Sequence, residues 1–144
     1  MKLDTSPNYE NRNMEFKEPH VRLFVSEIAP CAAFYRDVLK FKPVTIQVEK
    51  GYAEFELDHL RLSLFRQQEM AEILRTSDRP NVVDEQDKFG LILHVRNLDD
   101  IYHELRQAGV TFVEPPTQNK EFSIKVAYFR DPSGNLLGLI EPLM

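Results

Sequence analysis

Residues 20–25, His-Val-Arg-Leu-Phe-Val, and residues 90–95, Gly-Leu-Ile-Leu-His-Val, carry the same two-residue alternation at an offset of 70. In the first, Val21, Leu23 and Val25 fall on one face of a strand and His20, Arg22 and Phe24 on the other. In the second, Leu91, Leu93 and Val95 separate in the same way from Gly90, Ile92 and His94. A helical pattern comes after each strand. Pro30 suits a first helical turn, and Cys31, Phe34, Tyr35, Val38 and Leu39 recur at helical spacing until Pro43 stops them. In the later copy Asn97 stands at an N-cap position, and Asp99 and Asp100 suit the positive end of a helix. Ile101, Leu105 and Ala108 form its apolar stripe, and Gly109 ends it.

Working outward, three strand-like runs come after the first helix: Val44–Val48, Tyr52–Leu57 and Leu60–Phe65, the last two joined tightly by Asp58-His59. Strand runs at Thr111–Val113, Lys125–Phe129 and Leu136–Ile140 come after the second, with a type I turn predicted over Asp131-Pro132-Ser133-Gly134. An offset of 75 lays Leu60–Phe65 on Asn135–Ile140. The chain therefore reads as a duplicated βαβββ unit of the α+β class. The first module spans residues 19–66 and the second 90–144. Residues 1–18 are polar and aperiodic, a flexible N-terminal arm. Residues 67–89 are a linker in which Gln68–Arg75 favours a short helix. Each sheet gives one face to its helix. Pairing the two curved sheets through their other faces is expected to enclose a cleft.

Composition narrows the function classes. The 144 residues are 42% hydrophobic and 28% charged, with 10 Phe, 5 Tyr and no Trp, which suits a folded body rather than a disordered chain. Eighteen basic against 23 acidic residues give a net charge of −5, and no basic cluster appears, so nucleic acid is not an expected partner. No apolar run approaches the roughly 18 residues of a membrane span, and the start lacks the apolar core of a signal peptide. A single Cys31 excludes an internal disulfide and makes the cytoplasm the expected location. There is no nucleophile elbow, Walker loop, His-Glu-Xaa-Xaa-His or Cys-Xaa-Xaa-Cys.

Three stretches in order resemble the glyoxalase, bleomycin-resistance and extradiol dioxygenase superfamily, the vicinal oxygen chelate fold. They are His20 to Glu27 leading into Phe34-Tyr35-Arg36-Asp37-Val38-Leu39-Lys40-Phe41; Leu91 to Val95 with Asn97 to Asp100 and Leu105 to Val110; and Tyr128 to Leu137. Lys40 stands where the family usually has glycine. The resemblance implies two βαβββ modules, a homodimer, and, in metal-dependent members, a ligand on the first and last strand of each module. Those positions are His20, Ser63, Gly90 and Gly138, and His20 is the only retained ligand-type residue. Such a site needs about three protein ligands, so no cofactor is expected, with a divalent metal as the alternative. A rebuilt set of His20, His94 and Glu54 is the way that alternative would be met.

The expected ligand-binding residues are His20, Arg22, Phe24, Glu54, Arg61, Ser63, His94 and Tyr128, with Glu54 and Tyr128 the candidates for acid–base chemistry. Arg22 and Arg61 either bind a carboxylate or phosphate or form an ion network with Glu54 and Glu56, the network being favoured. Phe24, Phe65, Ile92, Leu136, Ile140 and Tyr128 make the cleft apolar, while Ser63, Gly90 and Gly138 are expected to leave room in it. Cys31 reads as an inert core residue; His59 and His103 read as solvated. The functional expectation is a metal-free protein binding a small organic molecule, of the resistance or sequestration type. The alternatives are a metal-dependent enzyme (lactoylglutathione lyase-like, dioxygenase-like or an antibiotic thiol transferase) and a non-catalytic regulatory or assembly module.

Overall fold

The alternation in residues 21–25 becomes an edge strand whose helix-side residues, Leu23 and Val25, are buried while Phe24 is 40% exposed. In the computed structural model, which describes residues 17–80 and 86–143, this pattern recurs through two four-stranded sheets. Strand β1 (Val21–Val25) leads into helix α1 (Ile28–Ala33), which continues as a wider π-helical turn over Phe34–Val38. Strands β2 (Lys42–Gln47), β3 (Tyr52–Leu57) and β4 (Leu60–Arg66) complete a sheet of order β1-β4-β3-β2. Helix α2 (Gln67–Ile73) comes next, as the sequence predicts. Then β5 (Leu91–His94), α3 (Leu98–Gln107), β6 (Thr117–Asn119), β7 (Ile124–Arg130) and β8 (Leu136–Pro142) repeat the plan in the order β5-β8-β7-β6. β1 pairs β4 and β5 pairs β8 in parallel; the other pairs are antiparallel. The expected arm falls largely on residues 1–16, outside the described residues, as do residues 81–85 of the linker. Among the described residues no helix is long and apolar enough to cross a membrane.

One predicted strand is absent. Residues 111–113 make a single bridge, Phe112 to Phe129, and the edge position is taken by β6 instead. Pro115 and Pro116 lack N–H donors and interrupt the ladder, which resumes at Thr117. Asn97 does occupy the N-cap of α3, but its side chain makes no capping bond. The Asp131 turn forms as expected, with Gly134 N–H donating to the Asp131 carbonyl at 2.9 Å and Gly134 at φ 90°.

The modules join through their helix sides, and their buried residues form one continuous core. The ring of Phe34 packs on Phe129 with centroids 6.3 Å apart. Tyr35, fully buried, donates its hydroxyl to Asp131 Oδ2 at 2.8 Å. Asp131 is itself 4% exposed; its Oδ1 accepts the backbone N–H groups of Ser133 and Asn135, and Oδ2 also accepts from Asn135 Nδ2. The backbone N–H of Ser26 donates to Ser133 Oγ at 2.7 Å, and Asn135 Nδ2 reaches the Phe24 carbonyl at 3.2 Å. Cys31 is buried beside this junction, where desolvation raises its thiol pKa, in keeping with an inert cysteine.

Each module ends its long helix with a left-handed residue. In the second this is Gly109, φ 98°, with open space around its Cα. In the first it is Lys40, φ 63°, after which Phe41 N–H closes on the Tyr35 carbonyl at 2.9 Å. A side chain in that region costs about 1–2 kcal/mol, partly offset because glycine loses more chain entropy on folding. Lys40→Gly is therefore expected to stabilise the protein by about 0.5–1 kcal/mol in urea unfolding; a lower midpoint would contradict this.

Candidate functional site

Strand register decides which side chains meet on the helix-free face of the first sheet. It sets Arg22 beside Ser63 and Phe24 beside Phe65, and, from the other side of β4, Glu54 beside Ser63 and Tyr52 beside Phe65. Arg22 Nε donates to Ser63 Oγ at 3.0 Å, and Ser63 is fully buried. The guanidinium carbon lies 5.7 Å from the Tyr52 ring centroid and 5.5 Å from that of Phe65, within cation–π range of both. Arg61, by contrast, is tied to Glu54: Nη1 to Oε2 at 2.6 Å, while Tyr52 donates its hydroxyl to Oε1 at 2.7 Å. The favoured ion network thus forms at Arg61 but does not include Arg22, which makes no ion pair among the described residues.

The Tyr52 and Arg61 bonds hold the Glu54 carboxyl below the usual carboxylate range. A general base needs its pKa raised toward neutrality, so this environment works against that role for Glu54. Tyr52 is a site residue that the sequence reading missed. Its signal lies in the alternation of Tyr52, Glu54 and Glu56 along one strand face.

The second sheet carries the remaining candidates. Gly138 lies between Tyr128 and Ile92 in register, and those two side chains cover it. A Cβ on Gly138 would stand 2.7 Å from Tyr128 Cε1 and 2.9 Å from Ile92 Cδ1. At Gly90 the Leu136 side chain is already 3.4 Å from where a Cβ would be. The expectation that Gly138 and Ser63 leave open room is therefore corrected, whereas a Cβ at Gly90 would make only ordinary contact with Leu136. Larger neighbours occupy the space over Gly138, and Ser63 is buried under Arg22. His94, beside Ile140, is exposed at the edge of this sheet.

His20, Arg22, Phe24, Glu54, Arg61 and Ser63 therefore belong to one helix-free face, and His94 and Tyr128 to the other. Both faces are open, with Phe24 40% and Ile92 42% exposed. The hydrogen bonds and ring contacts described between the modules lie on the helix side or reach the backbone of residue 24.

The model of the Glyoxalase/Bleomycin resistance protein/Dioxygenase superfamily matches residues 18–139. The chain belongs to this superfamily. It is 32% identical over 123 residues to the uncharacterized protein YraH of Bacillus subtilis, covering 85% of this chain and 96% of that one. It is 32% identical over 120 residues to the virulence protein STM3117 of Salmonella typhimurium, covering 82% and 78%. Among solved structures, a glyoxalase/bleomycin resistance protein/dioxygenase from Nocardioides superposes with a TM-score of 0.72 at 18% identity, covering 93% of this chain and 88% of that one.

Superfamily membership raises the question of a metal, and the residues at the four expected positions answer it by their chemistry. Two have no side chain, and the third, Ser63, spends its hydroxyl on Arg22, placing a fixed positive charge where a cation would have to come. Only His20 can donate. Of the rebuilt set, Glu54 lies on the helix-free face of the first sheet and His94 on that of the second. These residues do not fit a divalent metal at that place.

Proposed function

We propose that this superfamily member binds a small organic anion, without a metal, against the helix-free face of the first sheet, as a cytoplasmic resistance- or sequestration-type protein. The observation that carries the reading is Arg22. Its Nε is spent on Ser63, the Tyr52 and Phe65 rings lie within cation–π range of its guanidinium, and its outer edge is left without a carboxylate. A guanidinium so held is preorganised for a carboxylate or phosphate-type group, while Phe24 offers apolar surface beside it. Arg61 is neutralised by Glu54 and contributes shape more than charge.

The open apolar surface at Phe24 and Ile92 supports a homodimer, in which a second copy covers these faces and completes the ligand's enclosure. Calorimetric titration with benzoate and phenylphosphonate, with sedimentation of the same samples, tests the reading. Binding is expected to fall at least about tenfold in Arg22→Gln, consistent with loss of a charge-assisted bond, and the mass should be that of two chains. Unchanged affinity in Arg22→Gln would overturn the assignment of the anion site; a single-chain mass would overturn the dimer.

A further inference from the structure

The internal duplication makes each long helix meet the last hairpin of the other module, and the two meetings differ. On one side α1 meets the β7–β8 turn, where Phe34 packs on Phe129 and Tyr35 bonds Asp131, with a smaller hollow of about 510 Å³ beside Phe34. On the other side α3 meets the β3–β4 turn. That turn has only Asp58 and His59 between its strands, where the first has Asp131 to Asn135. The helix residues differ too. An offset of 70 places Glu104 where α1 has Phe34, and Leu105 where it has Tyr35. The ring that packs one junction is a carboxylate in the other.

The consequence is a hollow of about 670 Å³ between the modules on their helix side, reaching to His94 at the free edge of β5. Its walls are apolar, built from Phe41, Leu57, Leu60, Leu93, Leu105 and Leu139. That volume falls within the roughly 300–1,000 Å³ of small-molecule sites. At its mouth stand Glu104, Asp58, Lys40 and two histidines. Glu104 makes no side-chain hydrogen bond or ion pair among the described residues, and Asp58 has only His59, at 3.7 Å, with both side chains solvated. Lys40 forms no ion pair with either carboxylate among the described residues, and its single positive charge leaves the mouth net acidic. An apolar hollow with a net acidic mouth, in a chain of net charge −5, is complementary to a cation with a hydrophobic body.

We propose that this junction is a second ligand site, separate from the Arg22 face, which takes a small arylalkylammonium ion. The aromatic body occupies the place that Phe34 fills in the opposite junction, and the ammonium group lies at Glu104 and Asp58. The proposal does not depend on the anion reading, since none of the residues on the Arg22 face lines this hollow, although Ile92 and His94 of the second sheet do.

Amide NMR titration of the full chain with 2-phenylethylammonium, 2-phenylethanol and 3-phenylpropionate tests it. The ammonium probe is expected to shift the amides of residues 57–60 and 101–105 and to bind at least fivefold more tightly than the alcohol. The carboxylate should be the weakest of the three. Glu104→Gln combined with Asp58→Asn, both on solvated side chains, should bring the ammonium probe to parity with the alcohol. No shifts at these residues at millimolar probe, equal binding of the carboxylate, or a preference that survives the double substitution would each overturn the proposal. Shifts confined to residues around Arg22 and Phe24 would overturn it as well, while leaving the anion reading intact.

Discussion

Asp131→Ala is expected to destabilise the protein by about 3–4 kcal/mol, the largest loss from any single polar side chain, because it strips the acceptor from several buried donors at once. Two backbone N–H groups, the Asn135 amide and the Tyr35 hydroxyl all converge on this one carboxylate, which is 4% exposed. Removal leaves the Tyr35 hydroxyl buried without a partner and frees the turn that carries Ser133 to Ser26. For a chain of this length that is a fall of roughly 10 °C in Tm. Tyr35→Phe removes one donor and leaves the others, so about 1–2 kcal/mol is expected.

Tyr35→Phe also changes how stability depends on pH. Burial first, and then the charge of Asp131 and the bond to it, push the Tyr35 phenol far above the ordinary tyrosine range. The native state thus keeps a proton that the unfolded chain releases near pH 10. The resulting stabilisation is complete below that pH and is lost as pH rises beyond it. Urea midpoints of the unmodified protein should therefore fall more steeply above pH 10 than those of Tyr35→Phe. Parallel curves would remove Tyr35 as the source.

The second large effect is at Gly138. Gly138→Ala puts a methyl 2.7–2.9 Å from the Tyr128 ring and from Ile92 Cδ1. Real Cβ atoms do not sit so close, so the ring must move off its packing against the strand. A cost of about 1–3 kcal/mol is expected, typical of overpacking. Tyr128→Ala makes the room, so adding Gly138→Ala to it should cost little, and the coupling between the two should be favourable by a similar amount. Additive costs would mean that Ile92 or the backbone, not the ring, resists the methyl. Gly138→Glu meets the same obstruction and is not expected to create a metal site on its own.

Much of the fold was legible because alternation and helical spacing are local properties. The repeat at residues 20–25 and 90–95, the helices, and the Asp131 turn were all written in short windows. The strand expected at 111–113 failed for a local reason as well, since Pro115 and Pro116 lie just beyond it, after Glu114, and leave the edge to β6. The site was less legible. Membership of the first face is set by strand parity, and the sequence placed Arg22, Glu54, Arg61 and Ser63 together. Which arginine takes the carboxylate depends on distances across β4, where Arg61 and Tyr52 share Glu54 and Arg22 turns to Ser63. The covering of Gly138 likewise depends on the rotamers of Tyr128 and Ile92 on flanking strands. The Tyr35–Asp131 bond joins residues 96 apart in the chain, and no pattern within a window announces it.

Ligand binding by metal-depleted protein tests metal independence most directly. Chelator-treated protein, verified metal-free by elemental analysis, should bind benzoate or phenylphosphonate with an affinity that added Mn²⁺, Ni²⁺ or Zn²⁺ leaves unchanged. Binding that appears only when one of those ions is restored, at one ion per site, would contradict it.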